Sequence, residues 1–143
     1  IRKMFLVPLQ NTLVGLGISE YRILDSKNIV DETSYKNSIQ KVVGVTTDTG
    51  ESILSDMTTD WTTFKTKYDE ELAKYPMTLL RLQRNHKILS TDWSQLGDVP
   101  VGIKTTYESY RQALRDLPAT ANPKLDADGN LDQTSFTWPT EPS

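Results

Sequence analysis

The sequence contains no cysteine and a single histidine, His86, among its 143 residues. Without cysteine there are no disulfide scaffolds, thiolate nucleophiles or thiolate metal sites. His86 lies in a leucine-rich helical pattern, where a lone histidine is usually packed or at a surface edge, and no nucleophile-elbow glycine pattern accompanies it. One histidine also argues against a zinc site. We therefore predict that the protein is not an enzyme and has no catalytic residue, metal site or cofactor.

Long apolar runs and long runs of one charge are also missing. The longest apolar run, Met4–Val7, is too short to span a membrane, and Pro8 follows it too early for a signal peptide. Sixteen basic and nineteen acidic residues are interspersed, giving a net charge of -3 at pH 7. Such a surface has no electrostatic footprint for nucleic acid or anionic lipid. We expect neither as a partner.

The first part of the chain, residues 1–58, has the pattern of strands and turns. Strands are predicted at Lys3–Leu9, Tyr21–Leu24 and Ile39–Thr46, and the last of these alternates weakly and carries several β-branched residues. Asp48–Gly50 has the composition of a turn. We predict a β-rich part here, with a structural or attachment role.

From Asp60 onward the apolar residues recur every three or four positions, which indicates helices. Three helices are predicted, from Asp60 to Pro76, from Thr78 to about Ser90 and from about Ile103 to Leu117. Proline is expected to end the first and, at Pro118, the third, because it lacks a backbone N–H. The fold class is therefore α+β, with a helical domain over residues 59–143.

Two of these helices carry aromatic stripes. An aromatic stripe can be a platform for sugars, but packing in the core or onto another subunit is the interpretation we favour. On the first helix the stripe contains Trp61, Phe64, Tyr68, Leu72 and Tyr75, and on the third Ile103, Tyr107, Tyr110, Leu114 and Leu117.

The segment after Pro118 is predicted to be an extended, proline-rich arm. Four of the seven prolines lie from Pro118 onward, and each removes a backbone donor. The arm nevertheless carries large apolar side chains, which we expect to dock into the helical part or a neighbouring subunit. Trp138, held by Pro139, is the predicted main anchor; the others are Leu125, Leu131 and Phe136.

Acidic residues suggest two further local structures. Oxygen side chains alternate along the arm at Asp126, Asp128, Asn130 and Asp132, as at the start of a calcium loop. The glycine and the glutamate of such a loop are not at their required positions, so a tight turn is favoured. In the helical part, Asp92, Asp98 and Asp116 are expected to cap backbone amides or to pair with Arg84, Arg111 or Arg115. We predict a polar network around Trp93 and Tyr107.

Several short motifs in the second half of the chain occur in a recognisable order. They are Arg84, Thr91-Asp92-Trp93, Asp98 with Pro100, the run Tyr110–Pro118, and Trp138-Pro139 with Pro142. This series resembles the C-terminal domain of the tail assembly chaperone family of tailed bacteriophages, over roughly Leu79 to Pro142. Asn85 replaces an aspartate of the family pattern, and Tyr107 replaces a frequent tryptophan. Both changes keep the hydrogen-bonding or aromatic character of the position.

The resemblance implies a non-enzymatic role in phage tails, because copies of this domain also end many tail-fibre and baseplate-associated proteins. We predict a virion tail component of the fibre or baseplate region, made in the host cytoplasm. Its expected partners are tail, fibre or baseplate proteins in a larger, oligomeric assembly. A transient assembly chaperone absent from the virion and a carbohydrate-binding module are the alternatives. The predicted partner-binding or packing anchors are Trp61, Tyr68, Trp93, Tyr107, Tyr110, Arg111, Arg115, Phe136 and Trp138.

Overall fold

The computed structural model describes residues 4–143; Ile1–Lys3 lie outside the described residues. This part of the chain contains four α-helices and three strands, and a short 3-10 helix, Asp92–Gln95, precedes the last helix. The predicted α+β class is confirmed. No helix within the described range is long and apolar enough to cross a membrane. The helices are α1 (Leu6–Gly15), α2 (Glu32–Ser38), α3 (Trp61–Leu89) and α4 (Val101–Thr120), and the strands are β1 (Tyr21–Ile23), β2 (Ile39–Val45) and β3 (Ser52–Asp56).

The chain divides into two compact units. The first contains the residues up to Lys74 together with Ala127–Gly129, and the second contains Tyr75–Asp126 together with Asn130–Ser143. The division falls inside α3. The sequence-based boundary between residues 58 and 59 stays a prediction.

The strands form one antiparallel sheet in the order β1-β2-β3. Tyr21 lies opposite Lys41 in the first ladder. The second ladder contains a bulge between Val42 and Gly44. The turn that joins β2 to β3 contains Gly50 with φ +71°, a left-handed conformation that glycine adopts without steric cost.

The strand predicted at Lys3–Leu9 is wrong; Lys3 lies outside the described residues, and Leu6–Gly15 is helix α1. The signal for a helix is the spacing of its buried residues, Pro8, Leu9, Thr12 and Leu13. These positions recur with helical period and place one face on the core. Pro8 is tolerated because it lies in the first turn, where backbone N–H groups have no helical partner. The buried hydroxyl of Thr12 donates to the carbonyl of Pro8 at 2.8 Å.

Helix α2 was not expected from the sequence and begins at a capping box. The Asp31 carboxylate accepts the backbone N–H of Ser34 at 2.7 Å, and the Ser34 hydroxyl accepts the N–H of Asp31 at 3.0 Å. Each side chain thereby satisfies a donor that the helix leaves unpaired. The hydrogen bonds that the backbone N–H and the side chain of Ser34 give to the Asp31 carboxylate hold its pKa below the usual value.

The core of the first unit joins α1, α2, β2 and the first half of α3. Aromatic rings stack through its centre, with 4.3 Å between the centroids of Tyr35 and Phe64 and 5.4 Å between those of Phe64 and Tyr68. Trp61 packs at the edge of the same stack, 6.2 Å from Phe64. The buried residues are Leu9, Leu13, Ile29, Tyr35, Ile39, Phe64 and Tyr68.

The two helices predicted on either side of Pro76 form one continuous helix, α3. Pro76 cannot donate to the carbonyl of Leu72, so one helical hydrogen bond is absent. The helix continues because the turns before and after it bury Phe64, Tyr68 and Leu80, and packing outweighs a local preference. Its start is capped as expected, since Asp60 accepts the N–H of Thr63 at 2.7 Å.

The second unit contains the end of α3, the 3-10 helix, α4 and the C-terminal segment. A three-helix C-terminal part is therefore not confirmed. Pro118 also lies inside α4, which ends at Thr120. Only the last turn follows Pro118, so the missing donor disturbs little of the helix. The buried apolar residues here are Leu80, Tyr110, Leu114 and Leu131.

Alkaline pH should destabilise the first unit through its two buried phenols. Burial raises the pKa of Tyr35 and of Tyr68 to about 12, and the charge of Asp60 adds to the effect on Tyr35. The unfolded value is about 10. The neutral phenols therefore contribute stability that is complete below pH 10 and is lost as the pH rises towards 12. Urea unfolding at several pH values between 10 and 12 should show that the free energy of unfolding falls more steeply with pH for wild type than for Tyr35→Phe. Equal slopes would contradict this assignment.

Candidate partner-binding site

The connection between α3 and α4 is a short, self-bonded polar turn. The Thr91 hydroxyl donates to the carbonyl of Ile88 at 2.8 Å, and the Ser94 hydroxyl donates to the carbonyl of Thr91 at 2.6 Å. Thr91 and Ser94 are almost completely buried. Because buried hydroxyls are costly when unpaired, these two bonds fix the conformation of the 3-10 helix.

Arg111 of α4 fixes this turn from the other side. One terminal nitrogen of its guanidinium donates to the carbonyl of Ile88 at 2.9 Å, to the hydroxyl of Thr91 at 3.0 Å and to the carboxylate of Asp92 at 2.8 Å. The Arg111 side chain is only 12% exposed. A cation is favourable beside Ile88, because the last carbonyls of α3 carry the negative end of the helix dipole. Arg111 therefore joins α4, the 3-10 helix and the end of α3.

Trp93 stands on the fixed turn and packs against α4. Its ring lies 5.1 Å from that of Tyr107 in an edge-on arrangement, and Tyr107 lies 6.5 Å from Tyr110. Tyr110 is buried, and this burial raises the pKa of its phenol. Trp93 remains 49% exposed. The three rings thus lead from the core of the second unit to its surface.

The C-terminal segment folds back onto the helices of its own unit. The Trp138 ring packs edge-on against Phe136 at 5.0 Å, and the Lys87 ammonium lies 5.0 Å from the Trp138 centroid. The indole N–H donates to Gln133 at 2.8 Å. Near the terminus, the Tyr107 hydroxyl donates to the carbonyl of Pro142 at 3.2 Å. The predicted extended arm is not confirmed, since these contacts and local turns shape the segment.

The acidic part of this segment is a tight turn. Leu125 and Leu131 form an antiparallel bridge. Between them the Asp126 carboxylate accepts the backbone N–H of Asn130 at 3.0 Å, and Gly129 has φ +79°. Aspartate that bonds the local backbone, followed by a left-handed glycine, is turn chemistry. Within residues 4–143, no group of three or more histidine, aspartate or glutamate side chains could hold a metal ion.

The second unit carries large apolar side chains that its own core does not cover. All lie in the stretch from the second half of α3 to the start of α4, and their exposed fractions run from 44% to 78%. Leu82 and Leu89 lie seven residues apart and so share one face of α3, whereas the buried Leu80 points elsewhere. We call these exposed side chains together the exposed apolar surface. They are Leu82, Leu89, Trp93, Leu96, Val101 and Ile103.

The structure distributes the predicted anchors among different environments. Trp61 and Tyr68 pack in the first unit. Trp93, Tyr107, Tyr110 and Arg111 come together in the second unit, and Phe136 pairs with Trp138. Arg115 is exposed, and Asp116 accepts from Gln112 at 2.9 Å rather than from an arginine.

The predicted anchors did not include Leu82, Leu89, Leu96, Val101 or Ile103; Ile103, which was predicted on the apolar stripe of the third helix, is 44% exposed. In the second predicted helix, Leu82 and Leu89 share one apolar face that Leu80 widens, so the periodicity does not mark the two leucines as exposed. The seven-residue interval between Leu82 and Leu89, offset from Leu80, was the signal that could have separated them.

One comparison with known proteins gives a match. Residues 77–143 match the sequence model of a family described as phage tail assembly chaperone protein. This part of the chain is therefore a phage tail assembly chaperone-like domain, as the ordered motifs indicated. The family description implies interaction with phage tail proteins. No curated protein sequence and no solved structure matches the chain significantly.

Truncating Leu114 should strongly destabilise the second unit. Its side chain is fully buried in α4, and Leu→Ala at such a site costs about 2–5 kcal/mol. Glu108→Ala, at an exposed position of the same helix, is the matched control and should stay within about 0.5 kcal/mol of wild type. Urea unfolding of the full chain measures both. A Leu114→Ala effect as small as that of the control would contradict the assigned core.

Replacing Arg111 should loosen the turn between α3 and α4. Arg111→Met keeps much of the side-chain length but removes all three hydrogen bonds, for an expected loss of about 1.5–3 kcal/mol. Arg115→Met, one turn along α4 and exposed, should change the free energy of unfolding by less than about 0.5 kcal/mol. Thermal and urea unfolding would compare the two variants. Equal small effects would show that Arg111 does not hold the turn.

Proposed function

We propose that this protein acts without enzymatic chemistry in bacteriophage tail assembly, by binding a tail protein through the exposed apolar surface. The family match over residues 77–143 supplies the class of partner. The surface gives a physical reason for binding, because removing apolar area from water stabilises a complex by roughly 25 cal/mol per Å².

The observation that carries this proposal is the combination of a fixed turn with uncovered apolar side chains. Arg111, Thr91 and Ser94 hold the 3-10 helix in one conformation, so Trp93 is presented with little conformational freedom. A rigid, half-exposed tryptophan is the kind of residue that dominates interface energetics. Leu89 and Leu96, both exposed, lie before and after it in the chain.

Within this function, our more specific proposal is a virion component of the fibre or baseplate region. The alternative is a transient chaperone that leaves before the virion is complete, and the description of the matched family favours that role. Both uses require the same binding surface. They differ in whether the protein stays bound.

A carbohydrate-binding role has less support. Trp61 packs against Tyr35 and Phe64, and Trp138 packs against Phe136 and Lys87. Trp93 is thus the tryptophan with the most open face. Each tryptophan has different neighbours, so these contacts do not support a sugar-binding platform built from several tryptophans.

Removing two leucines of the exposed apolar surface should weaken partner binding without unfolding the chain. Leu82→Ser/Leu89→Ser changes positions that are 61% and 64% exposed, so thermal stability should change little. Co-purification with phage tail proteins from infected cells, quantified by mass spectrometry, should fall at least about tenfold, which corresponds to about 1.4 kcal/mol. Val14→Ser, at a 72% exposed position of α1 in the first unit, is the matched control. Equal recovery of tail proteins with both variants would contradict the proposed surface.

The fate of the protein after assembly separates the two specific roles. We expect the chain in purified virions at a fixed ratio to tail proteins, measured by quantitative mass spectrometry. Its absence from virions, combined with its presence in infected-cell lysate, would establish the transient chaperone instead. A sample taken before and after virion purification supplies the control for loss during handling.

A further inference from the structure

The sheet of the first unit has one strand edge that is only partly covered. Strand β2 runs from Ile39 to Val45, whereas β1 pairs only with Ile39–Lys41. Among residues 4–143, no strand lies beside Val42–Val45 on the β1 side of the sheet. Beyond the ladder, the N–H of Val42 donates to the carbonyl of Glu20 at 3.2 Å, so Val42 is still covered. We call the three residues after it, Val43–Val45, the open edge of β2.

The backbone direction along β2 places polar groups on this open edge. Thr46 donates to the carbonyl of Glu51 at 2.8 Å and so faces the β3 side. Since successive residues of a strand point their backbone groups to opposite sides, the N–H and C=O of Val45 face away from β3. They lie on the side where β1 has already ended. An added strand would find a donor and an acceptor there.

A surface cavity lies along the open edge. Its volume is about 600 Å³, and it is lined by Ser19–Tyr21 and by Lys41–Val45. The side chains of Val43 and Val45 are 53% and 58% exposed. The cavity thus combines unpaired strand backbone with apolar side chains that a neighbouring strand would cover.

The residues of the open edge carry no charged side chain, and the charged residues that line the same cavity are one acid, Glu20, and one base, Lys41. Exposed edges in native proteins are commonly guarded by charged residues or proline. The outer strand β3 ends at Asp56 and follows Glu51, whereas Val43-Gly44-Val45 has no charge. An uncharged, β-branched edge is suited to pairing with another strand.

We propose that the open edge of β2 binds an extended, uncharged polypeptide segment of another protein as an added antiparallel strand. The antiparallel direction continues that of β1 and gives the stronger ladder. The segment would carry β-branched or apolar residues, because these cover Val43 and Val45. The open edge has three residues and is only about 10 Å long. Strand pairing over so short an edge covers far less than the roughly 1,200–2,000 Å² of a stable interface between globular chains. A peptide strand therefore fits this edge better than a second copy of the chain.

Amide hydrogen exchange of the full chain tests the proposal directly. The probe is a capped peptide of alternating threonine and valine, titrated into the protein and followed by NMR. We expect exchange of the Val45 amide to slow at least about tenfold and in a saturable way, since hydrogen-bonded amides exchange only on opening. No slowing of exchange at Val45 at saturating peptide would overturn the proposal.

A pair of variants distinguishes strand pairing at the open edge from nonspecific apolar binding of the peptide. Val43→Lys/Val45→Lys places charges on the open edge and should abolish the peptide effect. Ile53→Lys, at a 45% exposed apolar position of β3 that does not line the cavity, should leave it intact. Equal loss in both variants would contradict the assigned edge. Concentration-dependent dimerisation that only the valine variant abolishes would show a second copy as the occupant and would also overturn the proposal.

This inference is independent of the exposed apolar surface. Leu82→Ser/Leu89→Ser should leave the peptide effect at Val45 unchanged. Loss of tail-protein binding in that variant with normal Val45 protection would support both assignments. Loss of Val45 protection in it would contradict the independence of the edge.

Discussion

The hydrogen bonds of Arg111 are the interaction on which the second unit depends. A single guanidinium joins the last turn of α3, the buried Thr91 and the exposed carboxylate of Asp92. Without a partner of this kind, the end of α3 and the 3-10 helix would have only local bonds to hold them. Arginine suits the position because its charge persists at all physiological pH values and its planar head offers several donors.

The same constraint explains how this domain can expose apolar side chains and still have one structure. The core beneath the surface is small, with Leu80, Tyr110 and Leu114 buried, and polar bonds supply the rest of the order. Because its turn is fixed by these bonds, Trp93 stays half exposed at the surface. A domain that binds another protein in assembly benefits from this arrangement, since a prearranged surface loses little conformational entropy on binding.

Sequence reasoning predicted the features that local chemistry determines. The strands around Tyr21 and Ile39, the Asp60 cap and the turn at Asp126 all follow from side-chain type and spacing. It was wrong where tertiary packing outweighed a local preference. Pro76 was expected to end a helix, but burial on both sides of it sustains α3. Likewise, Leu80 and Leu82 both belong to the broad apolar pattern of α3, and only the packing shows that Leu80 is buried and Leu82 exposed, although the interval from Leu82 to Leu89 offers a hint. At the start of the chain, the apolar run Met4–Val7 favours a strand, and it hides the helical spacing of Leu9 and Leu13 in α1.

Site-specific photo-crosslinking in infected cells tests the central claim most directly. A photoreactive amino acid would replace Leu89 on the exposed apolar surface or, as the matched position, Val14 on α1; both side chains are exposed. We expect crosslinks from position 89 to a phage tail protein and few or none from position 14. Crosslinks to tail protein from position 14 alone, or only to other copies of this chain from position 89, would contradict it.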